Sequence, residues 1–178
     1  MADQKITQLT ENTSPILTDI LPMVDDPGAS PATQKVTLTN LSTAFRSGAR
    51  VYSSATQALT ANTWTNLAYD TEAFDYAGEY NTTTHIFTVT KAGLYVAVNS
   101  FALTAAAKKF HVAIYVGGVI VSRQIVEVSV AYNNMIVSTV LSLSVSDTVE
   151  FYGMVETAGG GTVQNDSGYT YGSIARLG

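Results

Sequence analysis

The chain has 178 residues, with 9 basic side chains against 14 acidic, no cysteine, 46% apolar residues and only 13% charged ones. A chain of this length buries roughly 70% of its unfolded surface and needs neither disulfide nor metal to fold. The net charge of −5, with no basic run longer than Lys108-Lys109, argues against nucleic acid and against a membrane surface, because phosphate neutralisation needs clustered cations.

All four prolines, Pro15, Pro22, Pro27 and Pro31, lie in the first 31 residues. Proline fixes φ and cannot donate to a ladder, so residues 1–35 read as an extended, irregular arm outside any sheet. The arm nevertheless carries Ile6, Leu9, Ile16, Leu17, Ile20, Leu21, Met23 and Val24, and further on Val36, Leu38 and Leu41. A free linker is depleted in such residues, so they are expected to bury against a partner. Thr39 or Asn40 is placed to cap a short helix near 39–46, through Leu41, Ala44 and Phe45, ended by Gly48. The expected division is an arm, 1–48, and a head, 49–178.

From Arg50 the hydrophobic period is 2. Phe110, Val112, Ile114 and Val116 form one face of a strand and His111, Ala113 and Tyr115 the other; Gly117-Gly118 turns it into Val119–Arg123. Leu141, Leu143 and Val145 alternate with serines, and Ser146-Asp147 turns into Val149-Glu-Phe-Tyr. Further strands are expected at 50–56, 63–69, 85–90, 93–103, 125–131 and 169–176. About eight to ten short strands without a convincing helix between them make the head all-β, an antiparallel sandwich. No repeat of fixed period appears, which excludes a solenoid or propeller.

The stretch Phe74-Asp-Tyr-Ala-Gly-Glu-Tyr-Asn81, followed by Phe87-Thr-Val-Thr-Lys-Ala-Gly-Leu-Tyr95, resembles the globular head of the complement first-component q family. Tyr115-Val-Gly-Gly118 is similar to that family's turn between middle strands. Leu141-Ser-Leu-Ser-Val-Ser-Asp-Thr-Val149 resembles its Leu-x-Leu-x-x-Gly-Asp-x-Val pair, with Ser146 in place of Gly. Tyr171-Gly-Ser-Ile-Ala-Arg-Leu177 resembles the closing strand, with Ile174 at its aromatic position. The resemblance implies a ten-stranded jelly roll of the tumour-necrosis-factor type, assembled as a homotrimer. No collagen stalk precedes the head, so the family's immune roles do not carry over. Instead Lys5-Ile-Thr-Gln-Leu-Thr, Leu21-Pro-Met-Val24 and Lys35-Val-Thr-Leu-Thr-Asn-Leu41 resemble the N-terminal segment of many tailed-bacteriophage virion proteins, where the pattern recurs at the tether to the particle.

Candidate chemistry is sparse. The two histidines, His85 and His111, read as surface or interface imidazoles, and no Gly-x-Ser-x-Gly, phosphate loop or His-Glu-x-x-His is present. Asp70, Glu72, Asp75 and Glu79 cluster as oxygen ligands that could suit calcium, with Asn165-Asp166 elsewhere, though no EF-hand spacing exists. Asp75 with Glu79, or Glu127 with Glu150, are the sets a glycan-cleaving enzyme would need. The loop Thr157–Val163 reads equally as a recognition tip or a plain hairpin connection. Of 10 tyrosines, Tyr95 and Tyr115 are placed away from the alternating core face and are the candidates for trimer contacts.

The start, Met-Ala-Asp-Gln-Lys-Ile-Thr, lacks the apolar core of a signal peptide, and no apolar stretch approaches the roughly 20 residues of a bilayer span. The expectation is therefore a non-enzymatic virion protein made in the host cytoplasm: a capsid decoration or head-fibre trimer, attached to a capsid or other virion protein by its arm. The alternatives are a receptor-binding tail-fibre protein facing a host surface glycan or protein, and a carbohydrate-active virion protein.

Overall fold

Side chains alternating every second residue can bury only one face of a strand, so two sheets must close on each other to make a core. The computed structural model describes residues 16, 20–25, 32–104, 109–127, 133–156 and 158–177. The chain divides into two compact units, Met1–Phe45 and Arg46–Gly178.

The first unit corrects the expectation of an unpaired arm. Strands β1 (Ile20–Asp25) and β2 (Ala32–Thr37) pair antiparallel, with Pro22 opposite Lys35, and helix α1 (Leu38–Phe45) follows. Every strand of a two-stranded ribbon has a free edge, so a proline without an N–H is tolerated there. The helix cap is Thr37, whose Oγ1 accepts from the Asn40 backbone N–H at 3.2 Å, and not Thr39 or Asn40.

In the second unit one sheet comprises β3 (Gly48–Tyr52), β6 (Thr71–Asp75), β9 (Gly93–Ala102), β12 (Asn134–Leu143) and β15 (Tyr171–Arg176), in the order β12-β9-β15-β3-β6. The other comprises β7 (Tyr80–Asn81), β8 (Ile86–Thr88), β10 (Phe110–Val116), β11 (Val119–Val126) and β13 (Thr148–Val155), in the order β11-β10-β13-β8-β7, with β5 (Thr65–Asn66) also on β13. A small ribbon pairs β4 (Gln57–Leu59) with β14 (Gly161–Val163), and all the strand pairings are antiparallel. The unit is an all-β jelly roll. Its boundary falls before Ser47 and Gly48 rather than after them, because Gly48 already pairs with Ala175.

The expected phase of β10 holds: Phe110, Val112 and Ile114 are fully buried. They meet Phe101, Phe151, Tyr69 and Ile174 between the sheets, with ring pairs Phe101–Phe110 at 5.4 Å and Tyr69–Phe151 at 5.8 Å. Within this apolar layer Asn99 of β9 crosses from one sheet to the other. Its Nδ2 donates to Ala113 O at 2.8 Å and Tyr152 O at 3.1 Å, and its Oδ1 accepts from the Tyr69 hydroxyl at 2.8 Å. Gly117 and Gly118, at φ 56° and 78°, make the turn read from their sequence.

Close packing makes Gly172 irreplaceable, since a Cβ there would lie 2.5 Å from the Phe151 ring. Gly172→Ala is expected to lower unfolding free energy by about 1–3 kcal/mol in urea titration, and Phe151→Leu in the same chain to recover part of that loss.

Candidate functional site

The face of the five-stranded sheet turned away from the core is almost free of charge. Along β9, Tyr95, Ala97 and Asn99 point inward, leaving Leu94, Val96 and Val98 outward. Register sets Val96 beside Val140 and Ala175, and Val98 beside Ser138 and Ser173. Tyr171 and Tyr52 extend the face. Leu94 and Val140 remain 51% and 60% exposed, although a monomer's core could have used such side chains. The one charge in these central rows is Arg50, whose guanidinium stands 3.9 Å from the Tyr171 ring and donates to Ser167 O at 3.3 Å.

Of the two tyrosines expected at subunit contacts, Tyr95 is corrected: it is completely buried in its own chain. Its ring packs on Phe87, and its hydroxyl donates to Lys91 O at 2.6 Å and lies 2.8 Å from Ser47 Oγ. Burial lifts the phenol above its ordinary pKa, against the Ser47 hydrogen bond. Tyr115 does lie outside the core, half-buried on the other sheet beside Tyr152 at 4.1 Å and Trp64 at 6.0 Å.

Of the clustered acidic side chains, Asp70, Asp75 and Glu79 hold loops, whereas Glu72 is exposed on β6. Glu79 is buried, and its carboxylate accepts from Ser47 Oγ (2.7 Å), Gly48 N (3.0 Å), Thr90 N (3.0 Å) and Thr90 Oγ1 (2.5 Å), tying the start of β3 to the turn after β8. It floors an open groove of about 590 Å³ edged by Asn81, Thr88 and Thr90. Asp75 accepts from Ala77 N and Tyr80 N, and Asp70 from Ser54 N and Oγ and from Thr71 Oγ1. Asp166 caps the 167–170 turn through Gly168 N at 2.7 Å. Among the described residues no three His, Asp or Glu side chains converge, so the calcium reading finds no ligand set there. Glu127 and Glu150 lie near opposite ends of β10, about 20 Å apart along the strand, and do not face each other across a cleft.

His111 is not a surface imidazole. It is 3% exposed, with Nε2 2.7 Å from Glu156 Oε1 and Trp64 edge-on at 5.8 Å. His85 is half-buried in a left-handed conformation, and burial lowers its pKa against the opposing charge of Asp70. The glycine loop after 157 is part of the fold: Gly161–Val163 pairs with Gln57–Leu59, and a Cβ on Gly160 would sit 2.2 Å from Leu59 O. Thr157 lies outside the described residues.

Of the arm residues, Ile6, Leu9 and Leu17 lie outside the described residues. Ile16 is exposed, Ile20, Leu21, Met23 and Val24 fall on β1, and Val36, Leu38 and Leu41 are half-buried. No signal in the sequence marked Trp64 or Arg50, whose roles come from strands brought together across the sheets.

No protein-family model matches the chain, and none of the curated proteins does. Solved structures do. Murine APRIL aligns with a TM-score of 0.60 at 13% identity, covering 74% of this chain and 99% of its own. The Eiger tumour-necrosis factor of S. frugiperda gives 0.60 at 11% identity, covering 75% and 93%, and the globular domain of zebrafish complement 1qA gives 0.57 at 12%, covering 75% and 98%. The head has the tumour-necrosis-factor and C1q type of jelly-roll fold. At these identities the likeness is one of fold, which agrees with the C1q motifs read from the sequence.

Replacing the buried carboxylate in Glu79→Gln removes a charged acceptor from four donors and is expected to cost about 3 kcal/mol of stability by urea titration. Slight burial opposes ionisation of Asp70, yet the Ser54 and Thr71 hydrogen bonds outweigh it and hold its carboxyl below the usual range. A depressed folded-state pKa contributes stability above about pH 4 that is lost as pH falls through the folded value. Asp70→Asn is therefore expected to lose stability at neutral pH and to match the parent more closely near pH 2, as read from denaturation midpoints.

Proposed function

We propose that the chain is a non-enzymatic structural protein of a tailed-phage particle, a homotrimer that attaches to the capsid through its first unit and displays the jelly-roll head as a decoration or head fibre. The observation that carries this reading is the neutral outward face of the five-stranded sheet. Three copies burying Leu94, Val96, Val98, Val140 and Ala175 about a threefold axis would remove apolar surface from water without desolvating a charge other than Arg50. Arg50 already carries a ring and a carbonyl as partners.

The first unit supports the attachment half of the reading. Among its described residues the first unit is a two-stranded ribbon with one short helix, which is marginal alone in water, and it carries an exposed Phe45. A partner on the particle would cover such side chains. Three tethers leaving one trimer give avidity, because each later attachment is intramolecular at high effective concentration. The resemblance of Lys5–Leu41 to phage tether segments points to a virion, assembled in the host cytoplasm, rather than to a secreted ligand. A receptor-binding tail protein is the second reading within this class.

Light scattering on the full chain is expected to give a trimer. Val98→Glu, which places a carboxylate in the middle of the face, is expected to give a folded monomer with an unchanged circular dichroism spectrum. A monomeric parent protein, or a Val98→Glu protein that stays trimeric, overturns the assembly. Failure of the trimer to bind undecorated capsids, with the assembly intact, overturns the attachment alone.

A further inference from the structure

The outward face of the six-stranded sheet is built differently. Here His111, Ala113 and Tyr115 of β10 lie between Ile125, Arg123 and Ile120 of β11 and Met154, Tyr152 and Glu150 of β13, and Asn66 of β5 flanks Tyr152. Trp64, the chain's one tryptophan, immediately precedes β5 and packs edge-on against His111 and Tyr115. The three large rings are half-buried, and the Tyr152 hydroxyl donates to Glu150 Oε2 at 3.1 Å. Burial, followed by Glu150, pushes the Tyr152 phenol up to about 12, so it remains a neutral donor.

Covering Ala113 would require only apolar side chains. The cluster instead interleaves rings with a carboxylate, a guanidinium and an amide. Of the three buried side-chain polar atoms without a partner among the described residues, two, Asn66 Oδ1 and His111 Nδ1, belong to it. Buried polar atoms normally find partners, and both of these lie beneath the rings without accessible surface, so the groups open to a ligand are the rings themselves with Arg123 and Glu150. β10 and β13 are interior strands, so no edge is free to add a peptide strand. One cation balanced by one anion also gives nothing for a phosphate chain to neutralise.

We propose that this face binds a glycan. A pyranose ring presents an apolar C–H face and a rim of hydroxyls. The C–H face would lie against the Trp64, Tyr115 and Tyr152 cluster, and adjacent hydroxyls would donate to Glu150 and accept from Arg123, charge-assisted hydrogen bonds that fix its orientation. The site stands on the opposite sheet from the face proposed for trimer contacts.

Trp64 reports on the site directly, since all tryptophan emission comes from it. Titrating the full chain with the methyl glycosides of glucose, galactose, mannose, rhamnose and N-acetylglucosamine is expected to give a saturable emission change with at least one, half-complete on the order of 1 mM. Arg123→Ala and Glu150→Gln are expected to weaken that binding by about tenfold or more with unchanged melting temperature. Should Glu150→Gln prove unstable, the exposed Arg123→Ala decides alone. Absence of any saturable change with all five glycosides up to the order of 100 mM overturns the proposal, as does binding that Arg123→Ala leaves intact.

Discussion

A single amide, that of Asn99, holds the two sheets of the head in one relative position. Its nitrogen reaches two carbonyls of the opposite sheet while its oxygen takes the Tyr69 proton, in a layer otherwise made of rings and aliphatic side chains. Left unpaired there, the amide would cost free energy comparable to its lost hydrogen bonds, so sliding one sheet over the other by a residue is penalised in a way that apolar packing alone would not impose. The phase of β9 follows, and with it the choice of which side chains turn outward.

That choice separates the two outer surfaces. With Asn99 inward, Leu94, Val96 and Val98 must face out, and the five-stranded sheet acquires an apolar, hydroxyl-dotted plane. On β10 and β13 the same alternation sends Tyr115, Glu150 and Tyr152 outward, and the other plane becomes aromatic and polar. One plane suits a large interface between equal partners, and the other suits a small, orientation-sensitive contact.

The strands with strong alternation, β10 and most of β9 and β13, were visible in the sequence because one face is markedly more apolar than the other. β4, β6, β7 and β14 were not: each is five residues or fewer, and β6 reads Thr-Glu-Ala-Phe-Asp, with its pairing decided by β3 rather than by its own pattern. Tyr95 was misplaced for a related reason. On β9 the outward residues, Leu94, Val96 and Val98, look more core-like than Tyr95 and Asn99, so hydrophobicity alone gives the inverse phase. The acidic residues misled as a group because sequence proximity shows carboxylates but not the backbone N–H groups that loops bring to them. The ribbon in the first unit was hidden by Pro22, which argues against a central strand but not against a two-stranded one.

The order of the five-stranded sheet has a consequence for biosynthesis. β15, formed by residues 171–176, lies at its centre, between β9 on one side and β3 on the other. During translation the pairs β3–β6 and β9–β12 can each form as they emerge, but they cannot join until β15 has cleared the ribosome. Non-local closure of this kind is slow compared with the hairpin and helix of the first unit, whose contacts are short in sequence. Each nascent chain therefore presents the hairpin and helix of its first unit before it owns a finished head, and the plane proposed for subunit contact comes into existence only once residues 171–176 have emerged. Any contact through that plane must wait for this last strand.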